Sequence, residues 1–436
     1  MRKVAVGLIC SAAALTLVAQ GAGAAPGGPR FAAPVLLTTD KYTGGYEPSI
    51  AVDRFNNIVV TAHKQNHSLV LSPDERSATK LRSQSWLWTS KDGKTFTDMP
   101  GLTPLQEQNL EFGDEGDVAY DETGHIYFVD TNVADNSFSR YKATGNGQLA
   151  LETTRPIGPF GEPVDDRPWI AAHGDGVVMY AGNQGDKQSY PAGRTGDGDA
   201  YGPGRYTVYM SYDHGDTFDP LGVTLNDSGW CRPGADHARG SKLLYVVCSN
   251  DGDADGKSGT FWSYVSRDDG KTWSRYRMGG YDKKKTVSWP SITIGADGTV
   301  YVLYTEGKTS GRLQLLTSKN HGQSWTKRDV TPAEGVYQYE SFDIAPNGTL
   351  GLAYYYRPGA GQPWHVYAAT AKPGQRFVPT RVSTQPIASS KSTSPFGDFF
   401  EIAFGPDNKL NVVWTALNED LLLEGLNSDI YFARQQ

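Results

Sequence analysis

Methionine is scarce in this chain (5 of 436 residues), cysteine scarcer still (3), and positive charge is outnumbered, 41 Lys and Arg against 48 Asp and Glu. The formal net charge of −7 argues against nucleic acid as a partner, because phosphate binding needs a basic face. The one sustained apolar run, residues 4–18, is too short to favour a membrane span. The eight histidines show no zinc spacing such as His-Glu-x-x-His, so no catalytic metal is expected. There is no Gly-x-Ser-x-Gly elbow and no nucleotide-binding loop. No linker or low-complexity stretch interrupts the chain, and one domain is expected over residues 26–436.

The N-terminus reads as a signal peptide. Arg2 and Lys3 supply the charged region, residues 4–18 the apolar core, and Ala22-Gly23-Ala24 a small-residue cleavage site. Removal of residues 1–25 and secretion are expected. Cys10 lies inside the apolar core. Cys231 and Cys248 flank a hairpin, PGADHARGSKLLYVV, at similar distances from its turn. In an oxidising compartment they are expected to form a disulfide.

Glycine (50) and tyrosine (24) are plentiful, which suits many strands and tight turns. One phrase recurs: SYDHGDTF from Ser211, SRDDGKTW from Ser266, SKNHGQSW from Ser318, and a worn TSKDGKTF from Thr89. Its Asp and Ser/Thr side chains are suited to binding the backbone of their own turn, and its Gly to a positive φ. Its role is structural. A second repeat, two alternating strands joined by a turn, begins near Glu47, Gly116, Asp166, Cys231, Trp289, Tyr339 and Phe399. Its turn acids run from Asp53 to Asp407, about 59 residues per unit. Seven units of four strands predict an all-β, seven-bladed β-propeller. The last unit is one strand short, and FAAPVLLTT from Phe31 is expected to close the ring.

Function in such a ring belongs to its central funnel. Aligning the seven copies by their turns places Glu47, Glu115, Arg167, Arg232, Trp289, Tyr339 and Phe399 at the mouth, with Asp117, Asp166 and Asp398 close by. The ends of the second strands add His63, Asp130, Glu306 and Arg357, among others. Carboxylates, guanidiniums and aromatics in this setting suit an acidic, ring-shaped ligand. Arg167-Pro168 and Arg232-Pro233 stand out, because proline stiffens the strand start and a guanidinium grips a carboxylate bidentately.

The repeated phrase, with the secretion signal, resembles the Asp-box (BNR-repeat) turns of the sialidase-like superfamily. That resemblance implies a propeller fold and hydrolysis of a terminal sialic acid. An arginine triad would hold the sugar carboxylate, here Arg167, Arg232 and Arg357. A tyrosine nucleophile polarised by glutamate would be Tyr339 with Glu306, and the acid Asp117 or Glu47. Trp289, Asp398 and His63 would complete substrate binding. The first blade opens on Glu47-Pro48-Ser49, where sialidases have Arg-Ile-Pro, and the blade count is seven rather than six. The sugar therefore stays open between sialic acid and a uronate. A polysaccharide lyase using His63 and Tyr339, or a non-catalytic glycan- or protein-binding propeller, are the alternatives. A carbohydrate or glycoconjugate is the expected partner, and a monomer the expected state. DGDADGKSG from Asp251 matches the first half of a calcium loop, with Asp251, Asp253 and Asp255 as ligands for a structural ion.

Overall fold

The computed structural model describes residues 27–39, 43–66, 85–98, 115–131, 136–143, 148–157, 165–184, 205–225, 230–250, 258–282, 290–307, 311–391, 397–417 and 428–436. They form seven four-stranded antiparallel sheets, each with its strands in chain order from the axis outward, except the last. Each innermost strand touches the next, and the seventh touches the first. The chain is a seven-bladed β-propeller. In the last blade the outermost strand is Val35–Leu36, which pairs with Ser428–Arg434 (Val35↔Phe432, Leu36↔Tyr431). The N-terminal segment thus closes the ring, as the missing strand predicted.

Burial follows position within a blade. Second strands such as Val300–Glu306 are buried along nearly their whole length, because both faces pack on neighbouring blades. Fourth strands such as Thr326–Asp329 are mostly exposed. Between blades six and seven the core gathers Tyr355, Trp364, Phe400 and Trp414, with Tyr355 and Phe400 stacked at 4.5 Å. The seam between blades one and seven is tight enough to require glycine. A Cβ on Gly44 would meet the Ser428 carbonyl oxygen at 2.1 Å.

The repeated phrase folds as one turn each time. Ser211 Oγ donates to Asp213 Oδ1 at 2.8 Å and accepts from Gly215 N–H at 2.8 Å, while Thr217 donates to Asp213 through N–H (2.8 Å) and Oγ1 (2.7 Å). Ser266, Asp268, Gly270 and Thr272 repeat this pattern, as do Ser318, Asn320, Gly322 and Ser324, except that Asn320 Nδ2 donates to Ser324 Oγ. The residue before the glycine is left-handed in all three: His214 (φ 58°), Asp269 (φ 58°) and His321 (φ 54°). In blade one Ser90 and Asp92 take the Ser and Asp roles in a turn one residue shorter, so the worn phrase starts its hydrogen bonding at Ser90 rather than Thr89.

Cys231 and Cys248 face each other in register and are disulfide-bonded. Replacing both with alanine will cost about 3 kcal/mol in urea unfolding, the entropy of closing a loop of 17 residues in the unfolded chain. A loss below about 1 kcal/mol would show that this hairpin is already ordered without the bond.

Candidate functional site

Strand register, not turn position, decides which residues stand level around the axis. The serine of each repeated phrase pairs with a second-strand residue: Ser90 with Ile58, Ser211 with Val178, Ser266 with Leu244, Ser318 with Val300. Those residues in turn pair with Val52, Ala172, Ala235 and Ile294 on the innermost strands. In the other blades the matching pairs are Tyr120↔Ile126, Ile344↔Leu350 and Phe404↔Leu410. Three residues before each lies one ring of side chains: Ser49, Asp117, Trp169, Arg232, Ser291, Ser341 and Glu401.

This corrects the alignment by turns. Arg232 was placed level with Arg167 and Glu47, yet it stands level with Ser49, two residues deeper. The length of one turn causes the shift: the first hairpin of blade four closes from Asp236 N–H to the Leu243 carbonyl, where blade one closes from Asp53 to Asn57. The innermost strand pairs of blades one, three and six also carry bulges, at Tyr46/Ser49, Asp166/Trp169 and Gln338/Ser341, on the mouth side of this ring, whereas that of blade four runs straight.

The ring is first of all a brace. Ser291 Oγ accepts from Phe342 N–H at 3.1 Å, Ser341 Oγ from Ile402 N–H at 3.0 Å, Asp117 Oδ2 from Ile170 N–H at 2.9 Å, and Glu401 Oε2 from Ile50 N–H at 3.3 Å. Each side chain satisfies a backbone donor on the open inner edge of the next blade. Asp117, a candidate acid, is 5% exposed and turned into the seam between blades two and three.

Superimposed on the brace is a charged chain. Arg232 of blade four pairs with Glu401 of blade seven, so the contact crosses the channel. The Arg232 guanidinium also lies 3.5 Å from the Trp169 ring centroid and 4.8 Å from that of Phe399. Trp169 and Phe399 meet edge to face at 5.0 Å. Ser49 Oγ lies 2.6 Å from both Asp117 Oδ1 and Glu401 Oε2. A hydroxyl has one proton and cannot donate to two carboxylates, so one carboxyl must carry the second proton. Burial, with Glu401 nearby, pushes the Asp117 carboxyl up to about 7 despite Arg232. The chain therefore reads Asp117–OH to Ser49–OH to the Glu401 carboxylate to Arg232.

A cavity of about 500 Å³ runs along the axis, lined at the mouth by Tyr339, Asp398, Phe399, Arg232 and Glu401 and at the far end by Asp53, Tyr120, His237 and Asp343. Tyr339 (φ 51°) and Glu47 (φ 49°) are left-handed non-glycine residues at matching bulges of blades six and one, on either side of blade seven. Glu47 is held by His63 Nε2 at 3.3 Å and accepts from Asp398 N–H at 2.7 Å. Tyr339 packs edge to face on Tyr355 at 6.0 Å, and both Tyr339 and Glu47 help to raise the Tyr355 phenol, chiefly raised by burial. Tyr339 and Asp398 thus line the mouth, while Glu47 (4% exposed) and His63 (3%) are buried behind Asp398 and do not line the cavity.

Other candidates fall elsewhere. Glu306 is paired with Lys327 Nζ at 3.2 Å on blade five. The Arg357 guanidinium lies 4.5 Å from the Trp364 ring centroid, and Arg357 does not line the cavity that holds Arg232. The proposed trio of arginines is therefore not brought together around Tyr339. The backbone of Arg167 sits in the bulge of blade three, and its side chain lies outside the described set. Trp289, Asp251, Asp253 and Asp255 also lie outside the described residues. Glu401, Trp169 and Ser49 escaped the sequence reading. Their signal was the constant three-residue offset from the end of the innermost strand.

No protein-family model matches the sequence, and no curated protein does. Solved structures are similar. A protein of unknown function from Dyadobacter fermentans superposes with TM-score 0.55 at 12% identity, over 94% of this chain and 99% of that one. An α-L-arabinofuranosidase of Fusarium graminearum, in complex with arabinobiose, gives TM-score 0.50 at 12% identity, over 93% and 98%. A Trypanosoma rangeli sialidase in complex with sialic acid gives 0.45 at 14% identity, over 94% of this chain and 59% of that one. At these identities the likeness shows the fold alone. Among the described residues no helix is long and apolar enough to cross a membrane.

Proposed function

We propose that this chain is a secreted glycoside hydrolase acting on a terminal sugar at the channel mouth between blades one, six and seven. The observation that carries the proposal is the pair of left-handed residues, Tyr339 and Glu47, on matching bulges, with Tyr339 lining the cavity and Glu47 buried behind Asp398. Backbone strain at non-glycine residues costs stability and persists where it aims a side chain. Tyr339 serves as nucleophile and Glu47, with His63 behind it, as acid/base. The similar fold of an α-L-arabinofuranosidase is consistent with such a site. An acidic sugar, sialic acid or a uronate, is the substrate class suggested by Arg167 and Arg232. Its carboxylate would compete with Glu401 for Arg232.

The test is turnover of fluorogenic sialosides, uronides and arabinofuranosides. Tyr339→Phe is expected to lower the rate at least roughly a hundredfold with circular dichroism unchanged. The pairing of Arg232 with Glu401 favours a second reading, a propeller that binds glycans without cleaving them. Retained glycan binding with no turnover of any substrate would establish that reading. An ultraviolet-absorbing product from a uronic-acid polymer would instead establish a lyase.

A further inference from the structure

Blade two carries no copy of the repeated phrase, and at its seam with blade three the structure gathers a different set of groups. Asp121 and His125 bracket the first hairpin turn of blade two. His214 is the left-handed residue of the repeated phrase in blade three. One ligand atom from each lies within 4.8 Å of the other two. Asp121 Oδ2 is 3.3 Å from His125 Nδ1 and 3.4 Å from His214 Nδ1. A tetrahedral ion with bonds of about 2.0–2.1 Å holds its ligand atoms about 3.3–3.4 Å apart. Among the described residues no other three His, Cys, Asp or Glu groups converge in this way.

The remote ring nitrogens are also provided for. His214 Nε2 faces Asp175 Oδ1 at 3.3 Å, and His125 Nε2 faces Glu152 Oε2 at 3.6 Å. A carboxylate near each remote nitrogen would support the tautomer whose Nδ1 binds an ion. Without an ion, Thr123 and Tyr127 each give their one proton to Asp121, so both Nδ1 atoms carry the N–H that an ion would displace. Lys142 Nζ also lies 3.4 Å from His125 Nε2, so with Nε2–H facing Glu152 the ammonium donates to the Thr123 carbonyl, 2.9 Å away, and not to the ring. Thr123 Oγ1 is 2.8 Å from both Asp121 Oδ1 and His125 Nδ1. Tyr127 OH donates to Asp121 Oδ2 at 2.7 Å and lies 3.2 Å from His214 Nδ1, leaving one Oδ2 lone pair for an ion. Side-chain exposure rises from 0% at Asp121 to 14% at His125 and 28% at His214, so the cluster is reached from solvent on the His214 side.

We propose that Asp121, His125 and His214 bind one zinc-class divalent ion, which ties blade two to blade three. Two imidazoles and a carboxylate suit Zn²⁺ and not the all-oxygen preference of Ca²⁺ or Mg²⁺. The matching positions of other blades lack this set. Asp269 meets His173 at 3.4 Å and Lys242 at 3.7 Å, which is an ion pair with no second imidazole. The site bridges residues 93 apart in the chain, so the ion acts on the blade seam and not within a hairpin. It is remote from the channel mouth and independent of the proposed hydrolase activity.

The test uses the full-length protein stripped with chelator and dialysed, then titrated with Zn²⁺ by calorimetry and counted by plasma mass spectrometry. One equivalent is expected. The melting temperature should rise by roughly 3 °C when Zn²⁺ is a hundredfold above its dissociation constant. Co²⁺ should give the intense visible bands of a tetrahedral site. His214→Gln, at the more exposed ligand, should weaken Zn²⁺ binding at least roughly tenfold with the apo melting temperature unchanged, and His125→Gln should do the same. Zinc binding unaffected by either variant would place the ion elsewhere and overturn the proposal. Stabilisation by Ca²⁺ in preference to Zn²⁺, or absence of stoichiometric Zn²⁺, would overturn it equally.

Discussion

Arg232→Met will destabilise the propeller by about 3–5 kcal/mol in urea unfolding, the usual loss when one partner of a buried ion pair is removed. Glu401 would be left charged at the centre of the ring, 20% exposed and still fixed by Ser49 and the Ile50 amide. Trp169 and Phe399 would lose the cation that both face. Because the pair joins blades four and seven across the channel, the loss is felt by the ring and not by one hairpin. Adding Glu401→Gln removes the stranded charge while keeping an acceptor for the Ser49 hydroxyl. The double variant should therefore recover about 2 kcal/mol of the loss. If Arg232→Met costs less than about 1 kcal/mol, the pair is screened by water and Arg232 is available to a ligand, which would favour its role in carboxylate recognition.

Asp117→Asn will change how stability responds to pH. In the folded protein the Asp117 carboxyl is raised to about 7 by burial and by Glu401, from an ordinary value of 3.8. Between those values the folded chain holds a proton that the unfolded chain has released. The contribution of Asp117 is thus fully present below about pH 4 and is lost as pH rises through about 7. Asparagine copies the protonated acid toward its two main partners, since its amide can donate to Ser49 Oγ while its oxygen accepts from the Ile170 amide, although it gives up the bond that Oδ1 accepts from Val118 N–H. The variant should match the wild type near pH 4.5 and exceed it by about 3 kcal/mol at pH 8. Asp343, raised to about 6 mainly by burial, acts in the same direction in both proteins and cancels. A stability difference independent of pH would mean that Asp117 is ionised in the folded state and that Ser49 does not bridge two carboxyls.

Much of the architecture was legible because it is written in local, repeated chemistry. The Ser-x-Asp/Asn-x-Gly-x-Ser/Thr phrase specifies its own turn through hydrogen bonds spanning four residues. Seven copies of the strand pair set the blade count, and the single missing strand pointed to residues near Phe31. Cys231 and Cys248 were legible because antiparallel register pairs residues equidistant from a turn. The candidate site was legible only in part. Tyr339 and Asp398 line the cavity with Glu47 and His63 buried behind them, whereas Arg232 lies two residues deeper and Arg357 packs on Trp364.

The sequence by itself determined the kind of fold, the number of blades and the closure of the ring, because periodic hydrophobicity and turn-forming residues act over a few residues at a time. Only the tertiary structure decided which side chains share a level around the axis. That level depends on the length of the blade-four turn, and a shift of two residues moves a guanidinium from the mouth into the brace. The contacts that matter most, Ser49 with Glu401 and Arg232 with Glu401, join residues 352 and 169 apart. No local pattern records such pairs, because they exist only once seven blades have closed on one axis.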